Sequence, residues 1–133
     1  MSGIGWCAAQ HITAFRKNPH VRVTWLHGRD IARARATLEK HDLSLPEARL
    51  TTRYEDLLEA SDVDIVSIAT PNDLHASQAI AAARAGKHVF VEKPFTYTVA
   101  QAEELINLAE RKNLKIMVDH TFLFTGSVRK MKH

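Results

Sequence analysis

The 133-residue chain has a single cysteine, Cys7. It therefore forms no disulfide within itself and offers no thiol cluster to a structural zinc, which fits a reducing, cytoplasmic compartment. No apolar run approaches the roughly 18 residues that cross a bilayer, and no basic segment followed by an apolar one opens the chain, so no membrane partner is expected. Five glycines and four prolines are too few for a linker or a fibrous repeat. The eight histidines show no metal-ligand spacing, so no metal is expected. Acidic residues are only slightly outnumbered, giving a net charge of +3. The basic residues Arg33, Arg35, Lys40, Arg53, Arg84 and Lys112 alternate with Glu39, Asp42, Glu55, Glu59 and Glu110. That pattern belongs to solvated helix faces, and nucleic acid is not an expected partner.

What is present is the composition of an ordinary folded domain, 45% hydrophobic and 25% charged, at a length of about one domain. Strand-like runs alternate with helical ones, the pattern of a parallel sheet with helices on both faces. The expected helices cover Ala8 to Lys17, Ile31 to His41 capped by Asp30, Tyr54 to Ala60, Leu74 to Ala85 and Thr98 to Lys112. Ala32, Ala36 and Leu38 are candidates for the inner face of the second, and Leu57 and Leu58 for that of the third. Thr52 with Glu55 and Thr98 with Gln101 have capping-box spacing. Expected strands cover Val21 to Leu26, Asp64 to Ala69, Lys87 to Val91 and Lys115 to Val118, and Phe122 to Lys132 reads as a loop entering a last helix. The fold class is α/β, a Rossmann-like doubly wound parallel sheet.

Gly3-Ile4-Gly5-Trp6-Cys7-Ala8 has the form G-x-G-x-x-A. The first glycine permits a tight turn, the second lets the backbone approach a pyrophosphate, and the small third residue allows close helix packing. Some 25 residues on, where such folds place the ribose-reading carboxylate, stand His27-Gly28-Arg29-Asp30. Glycine followed by arginine removes a repulsive charge and supplies a cation for a 2′-phosphate, so NADP is favoured over NAD. In the other reading Arg29 is solvated and Asp30 holds the ribose.

Two more segments, Ala69-Thr70-Pro71-Asn72-Asp73-Leu74-His75 and Ala85-Gly86-Lys87-His88-Val89-Phe90-Val91-Glu92-Lys93-Pro94, closely resemble the Gfo/Idh/MocA family of oxidoreductases. The resemblance runs from Gly3 to His120-Thr121-Phe122-Leu123-Phe124. It implies that Lys93 is catalytic, at the junction of nicotinamide and substrate, where an ammonium hydrogen-bonds the reacting oxygen and stabilises developing charge. Glu92 and Pro94 would hold it. Thr70, Pro71 and Asn72, after Ala69, would line the cofactor cleft, with His75 nearby as a structural histidine and His120 as a looser candidate. The implied substrate is a secondary alcohol of a sugar, cyclitol or related polyol, and the implied assembly is a homo-oligomer. Transient-redox glycoside hydrolysis and a non-catalytic NAD(P)-binding module are the alternatives.

Only Met1 and Ser2 precede Gly3, so the first, central strand is expected to be largely missing. Residues 1–124 are expected to form the dinucleotide domain and 125–133 the start of a connection to a C-terminal α/β domain. Without that domain little dehydrogenase activity is expected.

Overall fold

The computed structural model describes residues 1–131. Helix α1 (Trp6–Arg16) leads to β1 (Trp25–His27), α2 (Ile31–Lys40), β2 (Arg49–Thr51), α3 (Tyr54–Glu59) and β3 (Ile65–Ile68). Then follow α4 (His75–Arg84), β4 (His88–Glu92), α5 (Val99–Lys112), β5 (Ile116–Asp119) and α6 (Gly126–Met131), with short 3₁₀ turns before α4 and α6. β1 pairs with β2, and β3 with β4 and β4 with β5, all parallel. Ser2 joins the two sets by bridging in parallel to both His27 and Ile68. The spatial order is therefore β2, β1, Met1–Ser2, β3, β4, β5, a doubly wound sheet whose central position is held by two residues.

Helix formation follows local chemistry where that chemistry is strong. Thr98 accepts from the Gln101 backbone while the Gln101 side chain reaches back to the Thr98 N–H, the reciprocal box that opens α5. Leu105, Leu108 and Ala109 recur at helical spacing on its buried face. Asn113 ends it in the left-handed region at φ 53°, a conformation asparagine tolerates better than most residues. The Lys112 ammonium then donates to the Arg84 carbonyl at 2.6 Å, satisfying an orphan acceptor at the end of α4. Gly86, at φ 78°, turns that end toward β4.

The core lies in two parts on the faces of the sheet. One joins Leu57, Val66, Ile68, Val89, Val91 and Leu105 across α3, β3, β4 and α5, with Ala79, Ala82 and Ala83 of α4 filling the layer between. The other joins Ala8, Ala9 and Ile12 of α1 to Leu26, Leu38 and Leu43. Each fully buried leucine contributes about 1.5 to 3 kcal/mol.

Several boundaries differ from expectation. α1 starts two residues earlier, at Trp6, because the turn at Gly5 already provides its N-cap. The first long strand shrinks to Trp25–His27, and a further one, Arg49–Thr51, forms beside it in what reads as loop. Thr52 and Glu55 make no capping box. Arg53 is the N-cap of α3 and makes no side-chain cap, while Thr51 takes the local role by accepting from the Arg53 N–H and donating to Asp56. On α2 the buried residues are Ala34 and Leu38, and Ala32 and Ala36 face solvent. Leu58 packs against the core only partly, whereas Leu57 is fully inside.

Beneath the sheet's centre, His27 is buried. Its Nδ1 lies 2.8 Å from Ser2 Oγ, whose hydroxyl donates to Gln78 Oε1 at 3.0 Å. Burial holds the His27 imidazole below its ordinary value of 6.5. The unfolded chain therefore takes up this proton first, and the His27 contribution to stability is complete above about pH 6.5 and falls away below it. The urea midpoint should drop as pH is lowered from 7 into this window, with a shallower drop in His27→Gln. Parallel pH profiles for the two proteins would exclude His27 as the origin.

Candidate functional site

The carboxyl ends of the parallel strands carry most of the residues singled out from sequence. Gly3 leaves the central position with its N–H donating to His27 O at 2.9 Å and with φ 86°. A Cβ built there would lie 2.5 Å from Ala69 O and 2.8 Å from Thr70 N. The first glycine is thus demanded by the fold itself, because the turn runs directly over the end of β3.

Gly5 is different. Its φ is −114°, which any residue adopts, and an added Cβ would meet nothing within 4 Å. No protein atom requires glycine there. The space in front of it adjoins the N-terminus of α1, whose first turn has no acidic residue and whose N-cap has no side-chain hydrogen bond. Free N–H groups and an uncompensated positive dipole facing an open backbone suit a pyrophosphate. Ala8 is fully buried, as close helix packing requires, whereas Trp6 is 69% exposed. Ile4 packs under Gly28, its Cδ1 3.4 Å from a Cβ built on that glycine. Half-buried Cys7 keeps its proton, since burial and then the charge of Glu92 push its thiol upward against the opposing Lys93.

Past β1, Asp30 Oδ1 accepts from the Arg33 N–H at 3.1 Å and caps α2. Arg29 projects exposed beside it. Across the centre, Ala69 N donates to Ser2 O and Thr70 Oγ1 donates to Gln78 Oε1 at 3.1 Å. Pro71 and Asn72 are exposed. His75 is 1% exposed; its Nδ1 lies 2.8 Å from Pro94 O and its Nε2 2.9 Å from Thr70 O. One ring thus ties the segment after β3 to the segment after β4.

Glu92 is the last residue of β4 and pairs in register with Asp119 of β5. Lys93 follows in the open, its N–H donating to Glu92 Oε2 at 3.2 Å, and the Lys93–Pro94 bond is cis. Lys93 and Asp119 line a cavity of about 520 Å³ with His120, Thr121, Phe122 and Leu123. His120 therefore joins the cavity wall. Three contributors were not legible from sequence: His11 of α1, Asp119, and Gln78, whose Oε1 collects the hydroxyls of Ser2 and Thr70. A histidine among Ala8, Ala9 and Ile12 on the buried face of α1 was the available signal.

A glycine turn feeding a helix beside the centre of a doubly wound parallel sheet defines a Rossmann-like dinucleotide-binding domain. The chain belongs to the GFO_IDH_MocA family, the oxidoreductase family with an NAD-binding Rossmann fold, whose pattern matches residues 1–120. It is 36% identical over 122 residues to an inositol 2-dehydrogenase of Salmonella typhimurium, covering 91% of this chain and 35% of that protein. A 3-ketoreductase from Actinomadura kijaniata, solved with NADP and TDP-benzene, superposes with TM-score 0.85 at 33% identity, covering 98% of this chain and 39% of that one. GenD2 of gentamicin A biosynthesis, solved with NAD, gives TM-score 0.87 at 25% identity, covering 98% and 36%. The chain spans about a third of the length of the curated relatives it matches.

The two glycines separate folding from binding. Gly3→Ala should destabilise the protein by more than the roughly 1 to 2 kcal/mol of a left-handed residue, because the overlap with Ala69 adds to it. Gly5→Ala should leave the melting temperature unchanged and weaken dinucleotide binding. Calorimetry on both variants checks this, and tight binding by Gly5→Ala would remove the pyrophosphate from this turn.

Proposed function

We propose that this chain is the dinucleotide-binding part of an oxidoreductase that moves a hydride between nicotinamide and a secondary alcohol of a sugar, cyclitol or related polyol, with NADP preferred to NAD. The observation that carries the reading is the position of Lys93, exposed after β4 on the wall of the 520 Å³ cavity. The residues around the glycine turn fit a dinucleotide: an uncapped helix N-terminus faces space that a Cβ at Gly5 would occupy. When bound, the nicotinamide supplies the hydride acceptor. Lys93 orients the substrate hydroxyl and stabilises negative charge on its oxygen. Glu92 steadies the lysine through its backbone N–H, and His75 holds the neighbouring Pro94 carbonyl. Ala69, Thr70, Pro71 and Asn72, at the end of β3, would line the dinucleotide cleft.

The polyol class is supported by the inositol dehydrogenase and by a sugar-nucleotide 3-reductase of Streptomyces violaceoruber, 35% identical over 125 residues. The cofactor preference is supported by Asp30. Its carboxylate caps α2 through Arg33 N, which leaves Gly28 uncharged and Arg29 as the cation after β1, suited to a 2′-phosphate. Turnover, substrate and assembly as a homo-oligomer are properties of the whole protein in this reading.

Isothermal titration of the folded chain with NADP and with NAD is the direct test. NADP should bind more tightly. Arg29→Ala should weaken NADP by about ten- to a hundredfold, the worth of a charge-assisted hydrogen bond, and leave NAD nearly unchanged. Equal affinities would end the preference, and no binding of either dinucleotide would end the reading.

A further inference from the structure

At the end of the sheet where β4 and β5 stop, three side chains from three separate elements converge. His11 Nε2 of α1 lies 3.1 Å from Glu92 Oε1 and 3.0 Å from Asp119 Oδ2. All three donor atoms fall within 4.8 Å of one another. The side chains are largely enclosed, at 9% exposure for His11, 14% for Glu92 and 18% for Asp119.

A hydrogen-bonded ion pair accounts for this group incompletely. One Nε2–H must be shared by two carboxylates, and among the described residues no lysine or arginine pairs with either of them. Even a protonated imidazole leaves a net negative charge in a partly enclosed place, which is costly. A divalent cation removes the excess. The spacing is close to that of one, because donors about 2.0 to 2.1 Å from a tetrahedral ion stand about 3.3 to 3.4 Å apart, and small shifts of the two carboxylates, whose donor atoms lie within 4.8 Å of each other, reach it.

The atoms behind the three donors strengthen the case. Metal-bound histidines and carboxylates are normally oriented by hydrogen bonds to their other polar atoms. Here Glu92 Oε2 accepts from Lys93 N at 3.2 Å, and Asp119 Oδ1 accepts from Thr121 Oγ1 at 3.1 Å. His11 Nδ1 faces Ser67 Oγ at 3.4 Å; with the ring proton on Nδ1, the Nε2 lone pair is directed between the two carboxylates. The His11 ring also packs against Phe90, at 5.0 Å, and Phe15, at 6.1 Å, which touch each other at 6.2 Å. These contacts hold the three groups converged.

We propose that His11, Glu92 and Asp119 bind one divalent first-row transition ion of the zinc class. One imidazole with two carboxylates suits such a borderline ion better than magnesium or calcium, which take oxygen donors, or copper(I), which takes sulfur. Three protein donors leave a position open, and Asp119 lies on the cavity wall beside Lys93. The ion pins Glu92, and through its neighbouring backbone the start of the Lys93 segment. This site stands on its own geometry and does not depend on which dinucleotide or substrate the protein uses.

The test is titration of the folded chain with zinc chloride by calorimetry, and with cobalt(II) by visible absorption. One ion per chain is expected, with ligand-field bands of nitrogen and oxygen donors, no thiolate charge-transfer band, and a higher melting temperature. Asp119→Asn and His11→Gln should each weaken binding by at least about tenfold, whereas His20→Gln, on an exposed turn, should not. If either site variant fails to fold, nitrogen spectra of the wild-type histidine rings decide: zinc must shift His11 Nε2. Absence of saturable binding by the folded chain overturns the site. So does a thiolate band, binding indifferent to Asp119→Asn, or a zinc-induced shift confined to other histidines.

Discussion

Four backbone hydrogen bonds around Ser2 hold the rest of this structure in place. Ser2 N donates to Ser67 O at 2.7 Å and Ala69 N to Ser2 O at 2.8 Å, while on the other side Gly3 N donates to His27 O and His27 N to Met1 O, both at 2.9 Å. These bonds join the two strands on one side to the three on the other. They also fix where the glycine turn begins, and so where α1 points its N-terminus. The Ser2 hydroxyl continues the connection below the backbone, through Gln78 to Thr70 and through His27. Buried polar atoms in this chain of contacts are all paired, which a group so enclosed requires.

From that centre the functional geometry is propagated by parallel register. Parallel strands with helical crossovers bring every strand end to the same side, so the segments after β1, β3, β4 and β5 open on one edge of the sheet although they are far apart in sequence. His75 closes the arrangement by bridging the Thr70 and Pro94 carbonyls. The small side chains of α4 matter for the same reason. Ala79, Ala82 and Ala83 are fully buried, letting that helix lie close on β3 and β4 and bring His75 down onto both loops.

Features encoded over a few residues were legible in advance, and features made by distant pairing were not. The Thr98–Gln101 box, the Asp30 cap and the left-handed Gly86 each depend on neighbours within a turn, and each stands where the sequence places it. The Glu92-Lys93-Pro94 segment was legible through family resemblance. The Arg49–Thr51 strand was not, since three residues with one buried side chain become a strand only by pairing with Trp25–His27. The Thr52–Glu55 spacing misled because Thr51, one residue earlier, took the hydrogen bonds. His11 meets Glu92 and Asp119 across 81 and 108 residues, a distance over which residue spacing along the chain carries no information.

The strand order separates the two groups of residues to which the proposed function assigns selectivity. Gly28, Arg29 and Asp30 follow β1 on one side of Ser2, and Lys93 and Asp119 stand at the ends of β4 and β5 on the other. No direct hydrogen bond or ion pair among the described residues links the two groups. Under the proposed function, residue changes that retune the electron carrier and changes that retune the molecule being oxidised would fall on different patches of the domain. A lineage built on this scaffold is free to exchange one property while inheriting the other intact.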